Sequence, residues 1–320
     1  MAFYKRRANR LRRGKDQRKM NIKRIEDTDY ERLEAAGGYV RQYGRNVRKW
    51  TESNLVTADD CYVFESDGAV AGGICFRDDT PDARDILDFA LIDVKSPDGA
   101  QALLRAVEMA AKPETKAVGY NLYNDTEQYR DILNLFLLAG FLVVQEKKSY
   151  IYEREEPPRS TVEFTFRSVA EVGEEKFIST VKDVTVGTLD KLMADDAIRL
   201  GGDKAAREYV SSLKELDFEP DWWRLGYFGD QIIGLVLPQR FSESIGGINY
   251  IGVLPRHRGH GYGKVLLAEG TRILLENGIK KIYADIDTAN HPLAAALEQA
   301  GYTFGMEESV LSYRLPFSAR

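Results

Sequence analysis

Cysteine is almost absent from this chain. Two occur in 320 residues, Cys61 and Cys75, each alone in a strand-like stretch. That pattern excludes a disulfide framework and a cysteine-rich zinc site, and it fits a reducing cytoplasm. Long apolar runs are absent too: no stretch of about 18 apolar residues occurs, so no helical membrane span is expected. The basic N-terminus lacks the apolar centre of a secretory signal. Histidine is scarce, with three in all. His257 and His260 stand among arginines and a lysine, and no carboxylate or cysteine spacing completes a metal site around them or His291, so no metal is expected.

Basic charge is short everywhere but at one end. Residues 1–19 hold nine Lys/Arg and one Asp, whereas the rest carries 36 basic and 49 acidic groups. An acidic body does not suit duplex nucleic acid, which needs a clustered basic face, so nucleic acid is expected at most through residues 1–19. Met20 opens an ordinary domain start, and residues 1–19 read as a disordered basic extension.

What is present is a 43% hydrophobic, 30% charged composition, as in a globular α/β protein with an ample core, over a length that suits two domains. Two halves show the same order of signals. Strand, capped helix, hairpin around Ser66-Asp67-Gly68, strand, helix, strand, helix and closing strand fill 20–153. The same series, with its hairpin at Gly229-Asp230, fills 162–316, and the charged, proline-bearing "EREEPPRS" between them reads as a linker. Repetition about one linker means a duplicated α/β domain.

The chemistry concentrates in "YIGVLPRHRGHGYGKVLL", from Tyr250 to Leu267. The spacing fits neither a P-loop, where Gly259 and Gly263 lie one residue too close and Val265 lacks a hydroxyl, nor a GxGxxG dinucleotide fingerprint. It does fit R-x-x-G-x-G between a strand and a helix, with Arg258, Gly261 and Gly263. Glycines let successive backbone N–H groups face an anion without a Cβ in the way. The helix start adds its positive end, and Arg258 and Lys264 can screen outer oxygens. A pyrophosphate is the expected ligand.

This segment resembles motif A of the GNAT superfamily, the acyl-CoA-dependent N-acyltransferases. Asn290, a helix and then Gly301-Tyr302 match the pattern that closes that fold. The resemblance covers the second half throughout, and the first half in order of elements only. It implies two tandem GNAT folds, each a mixed, mainly antiparallel sheet flanked by helices with a splayed pair of central strands. It implies acetyl-CoA as co-substrate, with pantetheine along Ile251 and Val253, pyrophosphate at Arg258, Gly259, His260, Gly261, Tyr262, Gly263 and Lys264, and Asn290 on the pantetheine arm. The expected activity is acetyl transfer to a primary amine of a small molecule or peptide.

For the chemistry, strand alternation puts Tyr283, Asp285 and Asp287 on one face, which makes Asp285 and Asp287 candidate catalytic groups, and the resemblance adds Tyr250, three residues before Val253, where relatives place a base or water-holding residue. Members of the superfamily often carry an acidic tyrosine four residues before the helix-ending glycine. Leu297 stands there, which keeps open a CoA-binding regulator without turnover. Asp221-Trp222-Trp223 reads as an acceptor floor or as packing. The first half has "LIDVKSPDGAQALL" where a cradle belongs, with one glycine and no arginine, and reads as degenerate for CoA: structure, a substrate wall or a homodimer surface.

Overall fold

The computed structural model describes residues 20–160, 162–215 and 217–316; the basic segment 1–19 lies outside them. Contacts group the chain into two units. One contains residues 20–122, 126–143 and 310–316, the other 123–125 and 144–309.

The first unit runs β1 (Asn21–Arg24), α1 (Asp27–Ala36), α2 (Gly38–Glu52), β2 (Cys61–Ser66), β3 (Ala69–Thr80), β4 (Ala83–Leu91), α3 (Pro97–Ala110), β5 (Ala117–Tyr123) and α4 (Tyr129–Ala139). Its strands follow the order β1-β2-β3-β4-β5. All neighbours are antiparallel except β4 and β5, which run parallel and pair only from Ala83↔Ala117 to Ile86↔Tyr120. The break anticipated at Gly37–Gly38 separates α1 from α2. One core gathers Phe64, Phe76, Phe89, Phe136 and Phe141 with Leu311 from the far end of the chain. A second lies under α1 and α2 around Tyr43, Cys61 and Cys75, and both cysteines are free thiols.

The second unit begins with β6 (Leu142–Tyr152) and continues β7 (Thr165–Ser168), α5 (Val169–Val172), α6 (Glu174–Thr185), α7 (Lys191–Leu200), α8 (Gly202–Lys214), β8 (Arg224–Phe228), β9 (Gln231–Arg240), β10 (Ile245–Val253), α9 (Tyr262–Glu276), β11 (Lys281–Asp287), α10 (His291–Ala300) and β12 (Thr303–Arg314). Strand order is β6-β11-β10-β9-β8-β7. β11 pairs antiparallel with β6 across Asp287↔Lys147 to Ile282↔Tyr152. Tyr150, Tyr152, Ile282, Ala284 and Ile286 enter the unit's core with Trp223 and Leu297.

These boundaries fall elsewhere than a division at the charged linker. Strand residues 144–152 stand with the second unit and 310–316 with the first. Sequence order put β6 in the first half because hydrogen-bond partners across a sheet leave no local signal. The Asp221-Trp222-Trp223 stretch is packing: both indoles are buried, and Trp223 stacks on Phe177 at 5.8 Å.

Two irregularities in β10 open its edge. It runs parallel to β11 only from Ile245↔Lys281 to Gly247↔Tyr283, so beyond Gly247 the strands part. Against β9 the register slips between Ile248 and Tyr250, leaving Asn249 as a bulge. The bulge is held: the Tyr209 hydroxyl donates to the Asn249 carbonyl at 3.2 Å, and the Asn249 amide donates to Gln239.

Candidate active site

A cleft of about 500 Å³ follows the free edge of β10 and ends at the start of α9. Its walls include Tyr250, Ile251, Gly252, Val253, Arg258 to Lys264 apart from His260, and Asn290. Each of these except Gly252 was anticipated from the sequence. A volume of this size suits an extended ligand lying in a groove.

The glycine segment is built as an anion cradle. Gly259 and Gly261 take φ of +81° and +76°, conformations that side chains resist. Gly263 lies within the first turn of α9, and at all three glycines nothing stands within 4 Å of where a Cβ would be. Among the described residues no carbonyl or side chain accepts the N–H groups of 259–263, the orphan donors of a helix start. Free donors, free space and the positive end of a 15-residue helix fit a pyrophosphate. The first unit shows the contrast. A Cβ on Gly99 would meet Leu135 and Leu91 side chains at 2.9 Å each, so that glycine serves close packing.

The basic side chains are placed differently from the sequence expectation. Arg258 does not fan out toward outer oxygens. Its guanidinium donates to the carbonyls of Val253 at 3.0 Å, Gly187 at 2.9 Å and Val184 at 2.8 Å. It therefore clamps the loop after α6 onto the end of β10. Lys264 donates to Gln299. His260 Nδ1 lies 2.9 Å from the Arg258 carbonyl, so that nitrogen carries the proton, and the ring stacks on Tyr262. His260 is not among the residues that line the cleft.

A smaller cavity of about 60 Å³ opens between the parted strands, behind the cleft. The two share Thr188, Tyr250, Ile251, Asn290 and Leu293 as walls. Its other lining includes Asp190, Asp285, Asp287 and Leu297. All three candidate catalytic residues thus meet in one place. Tyr250 stands at the junction, its hydroxyl 3.3 Å from Thr185 Oγ1, which itself donates to the Val181 carbonyl at 2.8 Å. Burial pushes the Tyr250 hydroxyl above its usual range. Asp287 is buried and its oxygens are engaged: Oδ1 accepts from Ala289 N–H at 2.9 Å, Oδ2 from Lys191 N–H and the Gln145 amide at 3.4 Å each. Asp285, two residues back on the same face, is exposed. Asn290 caps α10 by accepting from Leu293 N–H at 3.3 Å.

Sequence reasoning missed the loop after α6. Val184, Gly187, Thr188 and Leu189 line the cleft and Asp190 the smaller cavity. A signal existed: Asp190 accepts from Met193 N–H at 2.9 Å, the helix-capping arrangement that starts α7. That helix was also missed. Among the described residues no group of three or more His, Cys, Asp or Glu could hold a metal ion.

A mixed sheet with a parted central pair, a glycine-rich turn at the following helix and an asparagine-capped last helix make up the fold that the sequence resemblance implied. Residues 192–302 match the model of the acetyltransferase (GNAT) family. The match covers that segment of the second unit. The chain's relatives include mycothiol acetyltransferases from Streptomyces bingchenggensis, 29% identical over 114 residues (35% of this chain, 36% of that protein), and from Actinosynnema mirum, 29% identical over 94 residues (28% and 32%). The matched segment thus spans about a third of those relatives. Among solved structures, a GCN5-related N-acetyltransferase from Sphaerobacter thermophilus aligns with a TM-score of 0.59 at 15% identity, over 93% of this chain and 97% of its own. A glucosamine N-acetyltransferase region of a fungal multi-domain GH3 beta-N-acetylglucosaminidase gives 0.57 at 12%, over 93% and 38%. At those identities the likeness is one of fold, and it extends over both units.

Proposed function

We propose that this chain is an acetyl-CoA-dependent N-acetyltransferase acting on a primary amine of a small molecule or peptide, by direct attack in a ternary complex. One observation carries the reading: a side-chain-free cradle of unpaired N–H groups opens directly into a cleft bounded by the unpaired edge of β10. Pyrophosphate belongs at Gly259–Lys264. Pantetheine belongs along Ile251–Val253, where backbone groups turned away from β9 have no strand partner. The thioester then lies at Tyr250, where cleft and smaller cavity meet. The mycothiol acetyltransferase relatives support acetyl transfer in general.

The amine nitrogen attacks the thioester carbonyl carbon from the smaller cavity. A C–N bond forms, and the developing oxyanion is met by free N–H groups of β10. Collapse breaks the C–S bond, and the proton lost by nitrogen ends on sulfur, giving amide and CoA thiol. Tyr250 stays protonated near neutral pH and orients the amine or a water by hydrogen bonding. Asp287, with its oxygens already engaged, fixes the cavity wall. Leu297 is buried in the core and supplies no acid, so the departing sulfur takes, through water, the proton lost by the attacking amine. No cysteine lines either cavity, so no acyl-enzyme is needed. The first unit, without a cradle, takes no CoA in this reading. A cytoplasmic location goes with it, since both cysteines are free thiols.

The test is calorimetric titration of acetyl-CoA into the parent and Gly263→Glu, with thiol release measured over an amine panel. Gly263 has ordinary backbone angles and open space, and an acidic residue there suits a helix start. Folding should be unchanged while micromolar binding is lost. Equal binding in both proteins would mean that the cradle is not the CoA site. Binding without thiol release from any amine would instead favour a CoA-binding regulator, the reading that Leu297 motivates.

A further inference from the structure

We propose that Tyr209 is a positioning residue of the site, fixing the bulge at Asn249 and through it the face of β10 on which Tyr250 stands. The proposal rests on the acetyltransferase reading where turnover is concerned, but the pinned bulge is separately measurable.

Even-numbered residues of β10 change sides in mid-strand. Before the bulge they face α9: the Ile248 side chain lies 2.9 Å from where a Cβ on Gly270 would stand, and a Cβ on Gly246 would meet Leu274 at 3.1 Å. After the bulge they face α6 and α8. A Cβ on Gly252 would meet Val184 at 2.8 Å. Tyr250 reaches Thr185 with its hydroxyl, and its ring stands 5.4 Å from the Tyr209 ring, centroid to centroid. Strict alternation would keep residues 246, 248, 250 and 252 on one side. The extra residue, Asn249, makes the reversal. Without it Tyr250 would turn toward α9 and leave the junction of the two cavities, which it lines.

The sequence supplies both a reason for the slip and a means of holding it. Pro238 of β9 stands opposite Ile248 and has no N–H for the ladder. The Asn249 carbonyl takes the Tyr209 hydroxyl, which reaches it from α8 at 3.2 Å. Burial pushes that hydroxyl above the usual tyrosine range, so it keeps its proton and donates at every working pH. The Asn249 side chain is held as well: its amide donates to Gln239, and the Gln239 amide donates to the Leu213 carbonyl at 2.9 Å. Tyr209 and Leu213 lie one turn apart on α8, so one face of that helix grips the bulge by its carbonyl and by its side chain. The Tyr209 ring then meets Tyr250 edge to face, which narrows the directions open to the Tyr250 side chain.

The experiment compares the full parent chain with Tyr209→Phe, Tyr250→Phe and the double variant. Phenylalanine at 209 keeps the ring and removes only the hydroxyl. Hydrogen exchange is followed along the chain, acetyl-CoA is titrated, and thiol release is measured with n-butylamine, benzylamine and glycinamide. Tyr209→Phe is expected to speed exchange about tenfold in β10 and to leave α9 at the parent's rate. Acetyl-CoA affinity should stay within about twofold, since the cradle lies beyond the bulge, while kcat falls about tenfold. In the Tyr250→Phe background the same change should lower kcat by less than about twofold, because a residue that acts through Tyr250 has little left to lose there. Unchanged exchange in β10, exchange raised equally throughout the unit, or kcat losses that multiply in the double variant would each overturn the proposal. Faster exchange confined to β10, with no thiol released by the parent, leaves the pinned bulge standing and removes acetyl transfer. Unchanged exchange with undiminished turnover does the reverse.

Discussion

Arg258 shows how a residue type can be legible while its work is not. Its place in R-x-x-G-x-G was clear from the sequence, yet its guanidinium spends its donors on three backbone carbonyls. The reason is geometric: a planar fork can bridge carbonyls from two segments, and only the fold brings Val184 and Gly187 beside Val253. Arg258→Lys should therefore raise the KM for acetyl-CoA by roughly tenfold, since one ammonium cannot reproduce three directed bonds worth about 1–2 kcal/mol together. The salt dependence of acetyl-CoA binding should match the parent's, because no phosphate contact is lost. A flattened dependence would mean that the arginine does reach the phosphates. Tyr250 yields a second expectation at this scale. Burial holds its hydroxyl above the usual tyrosine range, so it does not titrate between pH 6 and 9. With the Asp287 oxygens engaged, deprotonation of the amine falls to solvent. Consequently kcat/KM should rise about tenfold per pH unit toward the pKa of the acceptor amine. A plateau near neutrality in the pH–rate profile would reveal a side-chain base instead.

Elements carry the site where single residues do not. The cradle depends on α9 starting at Tyr262, and the cleft depends on β10 leaving β11 after Gly247. Strand and helix were both readable, since alternating apolar residues meet three glycines and then an amphipathic run. The Asn249 bulge and the loop before α7 were not, because a register slip depends on a partner strand and a short loop has no period. The last helix tests whether position and contact can be separated. Asn290 caps α10 through Leu293 N–H and also lines both cavities. Asn290→Ala should cost about 1 kcal/mol of stability and weaken acetyl-CoA binding together. Asn290→Asp keeps the capping oxygen and suits the helix dipole, so the melting temperature should recover. Affinity should not recover if the side-chain amide donates to the pantetheine arm. Recovery of both by aspartate would reduce Asn290 to a cap.

At the scale of the whole chain, duplication was visible and the exchange of strands was not. Repeated element order revealed two α/β units, and the charged linker suggested a cut near 153–161. The contacts instead assign strand residues 144–152 to the second unit and 310–316 to the first. Nothing in the composition of "VVQEKKSYIY" distinguishes one partner sheet from another, because strand patterns record which face is buried and not beside which strand. The energetics make the distinction testable. Tyr150 and Tyr152 are buried in the second unit's core, and the Tyr152 ring packs on Tyr302 at 4.8 Å. Removing a large buried aromatic costs about 3–5 kcal/mol, against a typical domain stability of about 5–15 kcal/mol. Losing both, together with the β6 pairing to β11, leaves little margin. A fragment cut at the linker, residues 162–320, should fail to unfold cooperatively by circular dichroism and should not bind acetyl-CoA. A fragment of residues 144–309 keeps β6, the cradle and both cavities, so it should show a cooperative melt and micromolar acetyl-CoA binding. If 162–320 melts as cooperatively as 144–309, then β6 is dispensable to the unit that carries the site, and the linker is the true boundary after all.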